Sequence, residues 1–224
     1  MHEVICFMKR GAIFDMDGTL FDTEKLYRRA WLDVAEEFDE EKNYDLPTAI
    51  SGTNLGEQSY QVIRRFYPNI DAEAYLARVL VEVRAASEKN LELMTGVEEI
   101  LKFFQAAGVV MAVASSAPVA VIEKNLTRSN LRDYFKILVG GDKVKRGKPA
   151  PDIFLLAAES LNLAPNDCYV FEDSFNGIRS AAAAGCAAIM IPDTVQPTEE
   201  IKNLCAAIFP NLNEARRAIK EERL

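Results

Sequence analysis

The second half of the sequence alternates short apolar runs with helical patterns, and this alternation limits the possible folds more than any other feature. The apolar runs predict strands at 109–114, 137–139, 168–171, 187–191 and 206–209. Helical patterns lie between them, after residue 118 and at 151–161 and 178–184. The run at 109–114 is continuously apolar, as expected of a strand that is buried on both faces. Strands that alternate with helices imply right-handed crossovers, so we predict an α/β fold whose parallel sheet carries helices on both faces.

A block of helical patterns separates the first strand from all the others. The first strand is predicted at 12–15, and helices follow at 24–37, 55–66 and 72–90 without a convincing strand among them. We therefore expect a catalytic core made of residues 1–22 and 91–224, with an all-helical domain inserted at 23–90. Tyr27 and Trp31 are one turn apart on the first inserted helix, and we assign them to the core of that domain, with stacking on a substrate as the alternative.

Two predictions concern helices near the ends of this pattern. The segment Thr95-Gly-Val-Glu98 has the form of a capping box, which would begin a helix that Gly108 ends. The charged helix around residues 214–223 is expected to present only a solvated surface.

The composition excludes several classes of protein. With 49% hydrophobic and 27% charged residues, the 224-residue chain is typical of a globular protein. No uninterrupted apolar stretch approaches the roughly 18 residues of a membrane span, so we expect a cytoplasmic protein without a membrane partner. The formal net charge of -8 argues against nucleic acid as a partner. Any anionic ligand must therefore be attracted by a local cluster of positive charge.

The rare residue types restrict the possible chemistry further. The four cysteines are scattered without a C-x-x-C pair, and we expect buried free thiols rather than disulfides or metal ligands. The one histidine is His2, near the beginning of the sequence, so we expect neither imidazole catalysis nor a zinc site with histidine ligands. We therefore expect carboxylates to perform any acid–base catalysis.

The first predicted strand ends in two aspartates, Asp15 and Asp17, which are followed by Gly18 and Thr19. The strand period of two places both carboxylates near one side of the strand end. Two carboxylates this close repel each other, so a cation or a shared proton is expected between them. Gly18 allows the backbone to turn and approach a ligand closely. For this motif alone, an Asp-rich turn without chemistry remains the alternative.

Other polar groups follow the later strands. Ligands of open parallel sheets bind outside the carboxyl ends of the strands. The groups expected at this edge are Asp15 and Asp17, Ser115 and Ser116, Lys148, and Glu172 and Asp173. Taken singly, Ser115 could cap a helix and Lys148 could be one of many surface lysines. The presence of all these groups at one sheet edge favours a Mg2+ site beside an anion-binding group. This arrangement is suited to phosphoryl transfer.

Four motifs make the chain resemble the haloacid dehalogenase superfamily of phosphotransferases over nearly its whole length. They are FDMDGT at 14–19, VASS at 113–116, GKPAPD at 147–152 and FEDS at 171–174. The resemblance implies a Rossmann-like core. The helical insert is similar to the small α-helical cap of the branch that contains β-phosphoglucomutase and sugar-phosphate phosphatases.

The resemblance also implies a role for each site residue. Asp15 would be the nucleophile that forms an aspartyl-phosphate, and Asp17 the general acid and base. Mg2+ would be held by the Asp15 carboxylate, the Asp17 main-chain carbonyl and Asp173, with assistance from Glu172. The transferring phosphoryl group would be bound by Ser115, the Ser116 amide and Lys148, and we place Gly18 and Thr19 in the same phosphate-binding group.

The catalytic motifs are shared by phosphatases and mutases, so the insert must distinguish them. The segment Thr53-Asn-Leu-Gly56 contains no basic residue that could hold a second phosphate, and we therefore favour hydrolysis of a small phosphorylated metabolite. A sugar phosphate is the substrate class that we favour, and phosphoglycolate-like acids and nucleotides are the alternatives. Thr53, Asn54 and Gln58 are candidate specificity residues of the cap, and the alternative is that they only cap and solvate a helix. A β-phosphoglucomutase and, from a different class, a non-catalytic phospho-aspartate receiver are the alternatives. We expect a monomer, because the cap must move to admit substrate.

Overall fold

The computed structural model describes residues 8–50, 57–193 and 196–224. The chain divides into two compact units: residues up to Phe21 together with Leu93–Leu224, and the inserted segment Asp22–Glu92. The sequence-based boundaries after residues 22 and 90 differ from these by one and two residues. Each unit has its own hydrophobic core.

Within the described residues, the larger unit contains one parallel sheet of six strands. The strands are β1 (Gly11–Phe14), β2 (Val110–Ser115), β3 (Ile137–Gly140), β4 (Cys168–Glu172), β5 (Ala187–Met190) and β6 (Ala207–Ile208). Their order is β3-β2-β1-β4-β5-β6, so the chain's first strand lies between β2 and β4. This topology confirms the predicted α/β fold class and the parallel sheet.

The central strand β1 is buried along its whole length because its four residues are apolar or lack a side chain. The ring of Phe14 stacks on that of Phe171 in β4, with centroids 4.7 Å apart. The rings of Phe104 and Phe135 contact the ring of Phe14 edge-on. This aromatic cluster fixes the end of β1 from which the aspartates continue.

The helices of the larger unit follow the strands in the expected alternation. They are α5 (Val97–Ala106), α6 (Val119–Arg128), α7 (Asp152–Ser160), α8 (Phe175–Ala183), α9 (Glu199–Leu204) and α10 (Leu212–Lys220). In the part of the chain that is described, no helix combines the length and the apolar composition needed to cross a bilayer.

Two local predictions about these helices are wrong. The capping box at Thr95 does not form, since the N-cap of α5 is Gly96 at φ 92°, without a side-chain cap. A Cβ at Gly96 would overlap the backbone of Asn213, so close packing determines this helix start. The terminal helix α10 is not merely a solvated surface: it packs on α5 and buries Leu212 and Ile219.

The inserted unit is helical throughout its described elements, which are α1 (Thr23–Glu37), α2 (Leu46–Ile50), α3 (Glu57–Phe66) and α4 (Ala72–Lys89). An aromatic cluster forms the centre of its core. The ring of Trp31 stacks on Tyr75, whose hydroxyl donates to the main-chain oxygen of Trp31 over 2.5 Å. Tyr27 packs partly buried against this core, so both aromatic residues of α1 have the structural position assigned to them.

Three cysteines lie in the described residues, and all three are free thiols. Cys168 is buried, whereas Cys186 and Cys205 are half-buried. Burial raises the pKa of each thiol to 11 or above, which keeps it protonated and poorly reactive near neutral pH. These three are free thiols as predicted, but only Cys168 is buried, and Cys6 lies outside the described residues.

Candidate active site

The pairing of the three central strands brings the predicted site residues to one edge of the sheet. In register, Phe14 of β1 lies opposite Val113 of β2 and Phe171 of β4. Asp15 follows immediately, and its main-chain N–H donates to the oxygen of Phe171 over 3.0 Å. The ends of β2 and β4 therefore place the serine loop, residues Ser115–Val119, and the Glu172-Asp173 pair beside Asp15.

Lys148 is the buried centre of this edge. Its Nζ lies 2.5 Å from Asp15 Oδ1 and 2.6 Å from Glu172 Oε1, and donates to the oxygen of Ala114 over 3.4 Å. The side chains of Lys148, Asp15 and Glu172 are 7%, 9% and 1% exposed. The alternative of an ordinary surface lysine is therefore excluded.

The ammonium of Lys148, which Asp15 and Glu172 share, influences which of these groups carry a proton. Burial is the main effect that raises the pKa of Asp15, Lys148 opposes it, and the charges of Glu172 and Asp17 add to it, so that the pKa is about 8. For Lys148, burial alone would lower the pKa, but Asp15 and Glu172 outweigh that effect and hold it above its usual value. A further cation at this edge would favour the ionised form of Asp15.

Glu172 is held on its other side by the start of α8. Its Oε2 accepts from the N–H and the hydroxyl of Ser174 over 2.7 and 2.9 Å. The hydroxyl oxygen of Ser174 in turn caps α8 by accepting from the N–H of Gly177. A Cβ at Gly177 would overlap the Glu172 carboxylate, so the helix leaves this space for Glu172. Sequence reasoning missed the roles of Ser174 and Gly177, although the N-cap pattern marks Ser174.

Three carboxylates are arranged so that they could hold a metal ion. Asp15, Glu172 and Asp173 each offer a ligand oxygen, and these oxygens lie within 4.8 Å of one another. An oxygen-only ligand set of this kind fits a hard divalent cation such as Mg2+. Gly18, at φ 78°, lies against Asp173, whose carboxylate a Cβ would overlap. The Asp17 side chain is not a member of the cluster.

A tight turn over residues 16–21 contains Asp17 and follows directly after Asp15. The N–H groups of Leu20 and Phe21 both donate to the oxygen of Met16 over 3.0 Å, and that of Gly18 donates to the oxygen of Phe21. Thr19 is fully buried in this turn. Its hydroxyl oxygen has no hydrogen-bond partner among the described residues.

The serine loop begins inside the sheet. Ser115 is the last residue of β2 and is 1% exposed, whereas Ser116 is exposed. The Ser115 hydroxyl oxygen accepts from the N–H of Ala117 over 3.1 Å, and it can still donate its own proton. The N-cap of α6 is Pro118, so the alternative role of Ser115 as the helix cap is excluded.

The loop that carries Lys148 is fixed by contacts that the sequence analysis did not predict. Its Lys148–Pro149 peptide bond is cis. The hydroxyl of the buried Ser180 donates to the oxygen of Ala150 over 2.7 Å. Arg146 and Asp152 close the loop with two hydrogen bonds of 3.1 and 2.8 Å. The contact between Ser180 and Ala150 joins distant parts of the chain, so motif spacing carries no signal for it.

The proposed specificity residues belong to the inserted unit. Gln58 lies in the first turn of α3 and is exposed. Thr53 and Asn54 lie outside the described residues.

Comparison with known proteins agrees with this geometry. The family model of the haloacid dehalogenase-like hydrolases matches residues 12–191. A phosphorylated carbohydrates phosphatase of Thermotoga maritima is 37% identical over 175 residues, which are 78% of this chain and 81% of that protein. A fructose-1-phosphate phosphatase of Escherichia coli, YqaB, is 34% identical over 80% of this chain and 94% of its own length.

A solved structure extends the similarity to both units. The crystal structure of a Thermotoga maritima protein described as a candidate β-phosphoglucomutase matches with a TM-score of 0.79 and 32% identity, over 95% of this chain and 99% of that one. With the family match and the carboxylate–lysine site at the sheet edge, this chain belongs to the haloacid dehalogenase-like hydrolases.

Proposed function

We propose that this enzyme is a Mg2+-dependent phosphatase that hydrolyses a small phosphorylated metabolite through a phosphoryl group carried on Asp15. The observation that carries the proposal is the buried contact between Asp15 and Lys148 beside the Asp173 carboxylate. A nucleophilic carboxylate needs nearby positive charge to approach an anionic phosphate ester, and Lys148 supplies it within hydrogen-bond distance.

The reaction would proceed in two steps at this edge. In the first, a carboxylate oxygen of Asp15 attacks phosphorus, the bond from phosphorus to the ester oxygen breaks, and Asp17 gives its proton to the departing alcohol. In the second, Asp17 takes a proton from water, whose oxygen attacks the same phosphorus. The Asp15–phosphorus bond breaks, orthophosphate leaves, and both aspartates return to their starting states.

The oxygen ligands suit Mg2+, which would be held by Asp15, Asp173 and the Asp17 main-chain carbonyl. When bound, Mg2+ supplies charge neutralisation for the phosphoryl oxygens. Both oxygens of Glu172 already accept hydrogen bonds, so we assign Glu172 to the charge and position of Lys148 more than to direct ligation. The Ser115 hydroxyl and the Ser116 amide would bind the phosphoryl oxygens.

Sugar phosphates are the substrate class that we favour. Phosphatases of phosphorylated carbohydrates, of fructose 1-phosphate and of hexitol phosphates are among the relatives that are 32–37% identical to this chain. We propose that the helical unit Asp22–Glu92 acts as the cap that selects the substrate. Thr53, Asn54 and Gln58 remain our candidates for contacts with sugar hydroxyls.

A β-phosphoglucomutase is the second candidate function, because the structural relative from Thermotoga maritima is described in those terms. The sequence argument against it is the neutral segment 53–56, which offers no cation for the second phosphate of a bisphosphate intermediate.

A substrate screen tests the two candidates against each other. Purified protein with Mg2+ is assayed for orthophosphate release from small phosphorylated metabolites, including hexose, hexitol and pentose phosphates. A parallel assay follows glucose 6-phosphate formed from β-glucose 1-phosphate. We expect phosphate release from at least one sugar phosphate and none without divalent cation. Efficient isomerisation with little phosphate release would instead establish the mutase.

The variant Asp17→Asn distinguishes the proposed enzyme from a phospho-aspartate receiver. Asparagine cannot exchange the proton, so we expect turnover to fall by about 10²–10⁴-fold while Asp15 still becomes phosphorylated. Mass spectrometry of protein quenched in acid detects the phosphorylated form, and a steady-state assay measures turnover. Full turnover in this variant would refute the acid–base assignment of Asp17.

A further inference from the structure

The segment after β3, Gly140-Gly141-Asp142, lies directly against the loop that carries the two serines, Ser115–Val119. Ser115 of β2 is in register with Gly140 of β3. The N–H of Gly141 donates to the oxygen of Ala117 over 3.0 Å, and the N–H of Val119 donates to Asp142 Oδ1 over 3.0 Å. The loop is therefore bonded to β3 and to the two residues after it, at the loop's beginning, middle and end.

The two glycines allow this contact to be made by backbone. A Cβ at Gly140 would overlap the N–H of Val119 and lie 2.7 Å from the oxygen of Ala117. A Cβ at Gly141 would overlap the oxygen of Ser116. Any side chain at either position would push the serine loop away from β3.

Asp142 supplies a cap that α6 lacks. The N-cap residue of this helix is Pro118, which offers no side-chain acceptor to the first free N–H groups. Asp142 provides the acceptor from the segment that follows β3, so the capping bond joins the loop after β2 to the loop after β3. The hydrogen bond from Val119 lowers the pKa of Asp142, as expected for a carboxylate that accepts from a helix start.

We propose that Asp142 is a positioning residue, which holds the Ser115–Val119 loop so that the Ser115 hydroxyl and the Ser116 amide face the transferring phosphoryl group. This inference rests on the proposed function, because it assigns the phosphoryl group to that loop. Asp142 itself is 40% exposed on the side of the loop and takes no part in the proton transfers. The contact through which it would act is the Val119 hydrogen bond to Oδ1, whereas its Oδ2 pairs with Lys143 over 3.4 Å.

The test compares three variants of the full-length protein. Asp142→Ala removes the cap, and Asp142→Asn keeps an oxygen acceptor without the charge. The matched control is Asn211→Ala, because Asn211 caps α10 by accepting from the N–H of Glu214 over 3.1 Å in the same unit. Orthovanadate, a phosphoryl analogue, is titrated calorimetrically in the presence of Mg2+, and thermal unfolding is recorded for each variant.

We expect Asp142→Ala and Asn211→Ala to lower the unfolding temperature by similar amounts. Only Asp142→Ala should weaken orthovanadate binding, by roughly five- to tenfold, with a matching rise in KM. Asp142→Asn should bind orthovanadate as the unchanged protein does. Equal binding by the two alanine variants, or equally weak binding by Asp142→Asn and Asp142→Ala, would overturn the inference.

Calorimetry separates this inference from the proposed function. Binding of orthovanadate does not require turnover, so the effect of Asp142 on the loop can be measured whatever the substrate is. Absence of phosphate release by the unchanged protein would refute the phosphatase, whereas unchanged orthovanadate binding in Asp142→Ala would refute only the positioning role.

Discussion

The Asp15→Asn variant should lose phosphate release by about 10⁴-fold or more, because an amide cannot form the covalent bond to phosphorus. The fold should remain, since asparagine has nearly the same shape as aspartate. Without metal, the variant should be at least as stable as the unchanged protein. Burial and the charges of Glu172 and Asp17 outweigh the attraction of Lys148 and raise the pKa of Asp15 to about 8, so the neutral amide resembles the form of Asp15 that the folded protein favours. Phosphate release and thermal unfolding are measured on the same preparation.

A matched control for this variant is Asp167→Asn. Asp167 lies directly before β4, at the opposite end of the strand from Glu172, so its loss should leave turnover unchanged. Mass spectrometry must exclude deamidation of the new asparagine back to aspartate. Turnover above 1% of the unchanged protein's rate, in a preparation free of deamidation, would contradict the role of Asp15 as nucleophile.

Replacement of Lys148 by methionine should have the largest combined effect on stability and activity. Methionine keeps a long apolar side chain but leaves Asp15 and Glu172 buried without their cation. Breaking a buried pair in this way costs about 3–5 kcal/mol of unfolding free energy. We expect kcat/KM to fall by about 10³-fold, as for the loss of a main electrostatic contact to the transition state. Chemical denaturation with chelator and with Mg2+ measures the first effect, and Mg2+ should restore part of the stability.

Two further variants separate charge from packing at this position. Lys145→Met changes an exposed lysine of the same loop and should alter neither property measurably. The double variant Lys148→Met with Glu172→Gln should recover stability, because it removes one of the two stranded carboxylates, but it should not recover activity. A Lys148→Met protein as stable and active as Lys145→Met would refute the central role of the buried lysine.

The residues at the sheet edge could be predicted because each strand and the polar residue after it are recognisable within a short stretch of sequence. A strand that is buried on both faces must be apolar, and the polar residue that follows it must lie at the edge. The contacts of Lys148 were not predictable in this way. Its partners, Asp15 and Glu172, come from β1 and β4, and only the strand order β2-β1-β4 brings them to the same ammonium.

The errors arose where tertiary packing overrides a local pattern. Thr95 and Glu98 have the spacing of a capping box, but α5 starts one residue later, where Gly96 packs against Asn213. The short helices α2 and α9 contain five and six residues, too few for a helical period to be recognised. The contact between Ser180 and Ala150 depends on how α8 packs, and no spacing in the sequence encodes it.

The position of β1 at the centre of the sheet also sets the order in which the protein can fold during translation. β1 is made first, yet its two partners begin only at Val110 and Cys168. The contiguous segment Asp22–Glu92, with its own core, is complete before either partner exists. On the ribosome the helical unit can therefore fold first, while the strand that leads to the nucleophile waits unpaired.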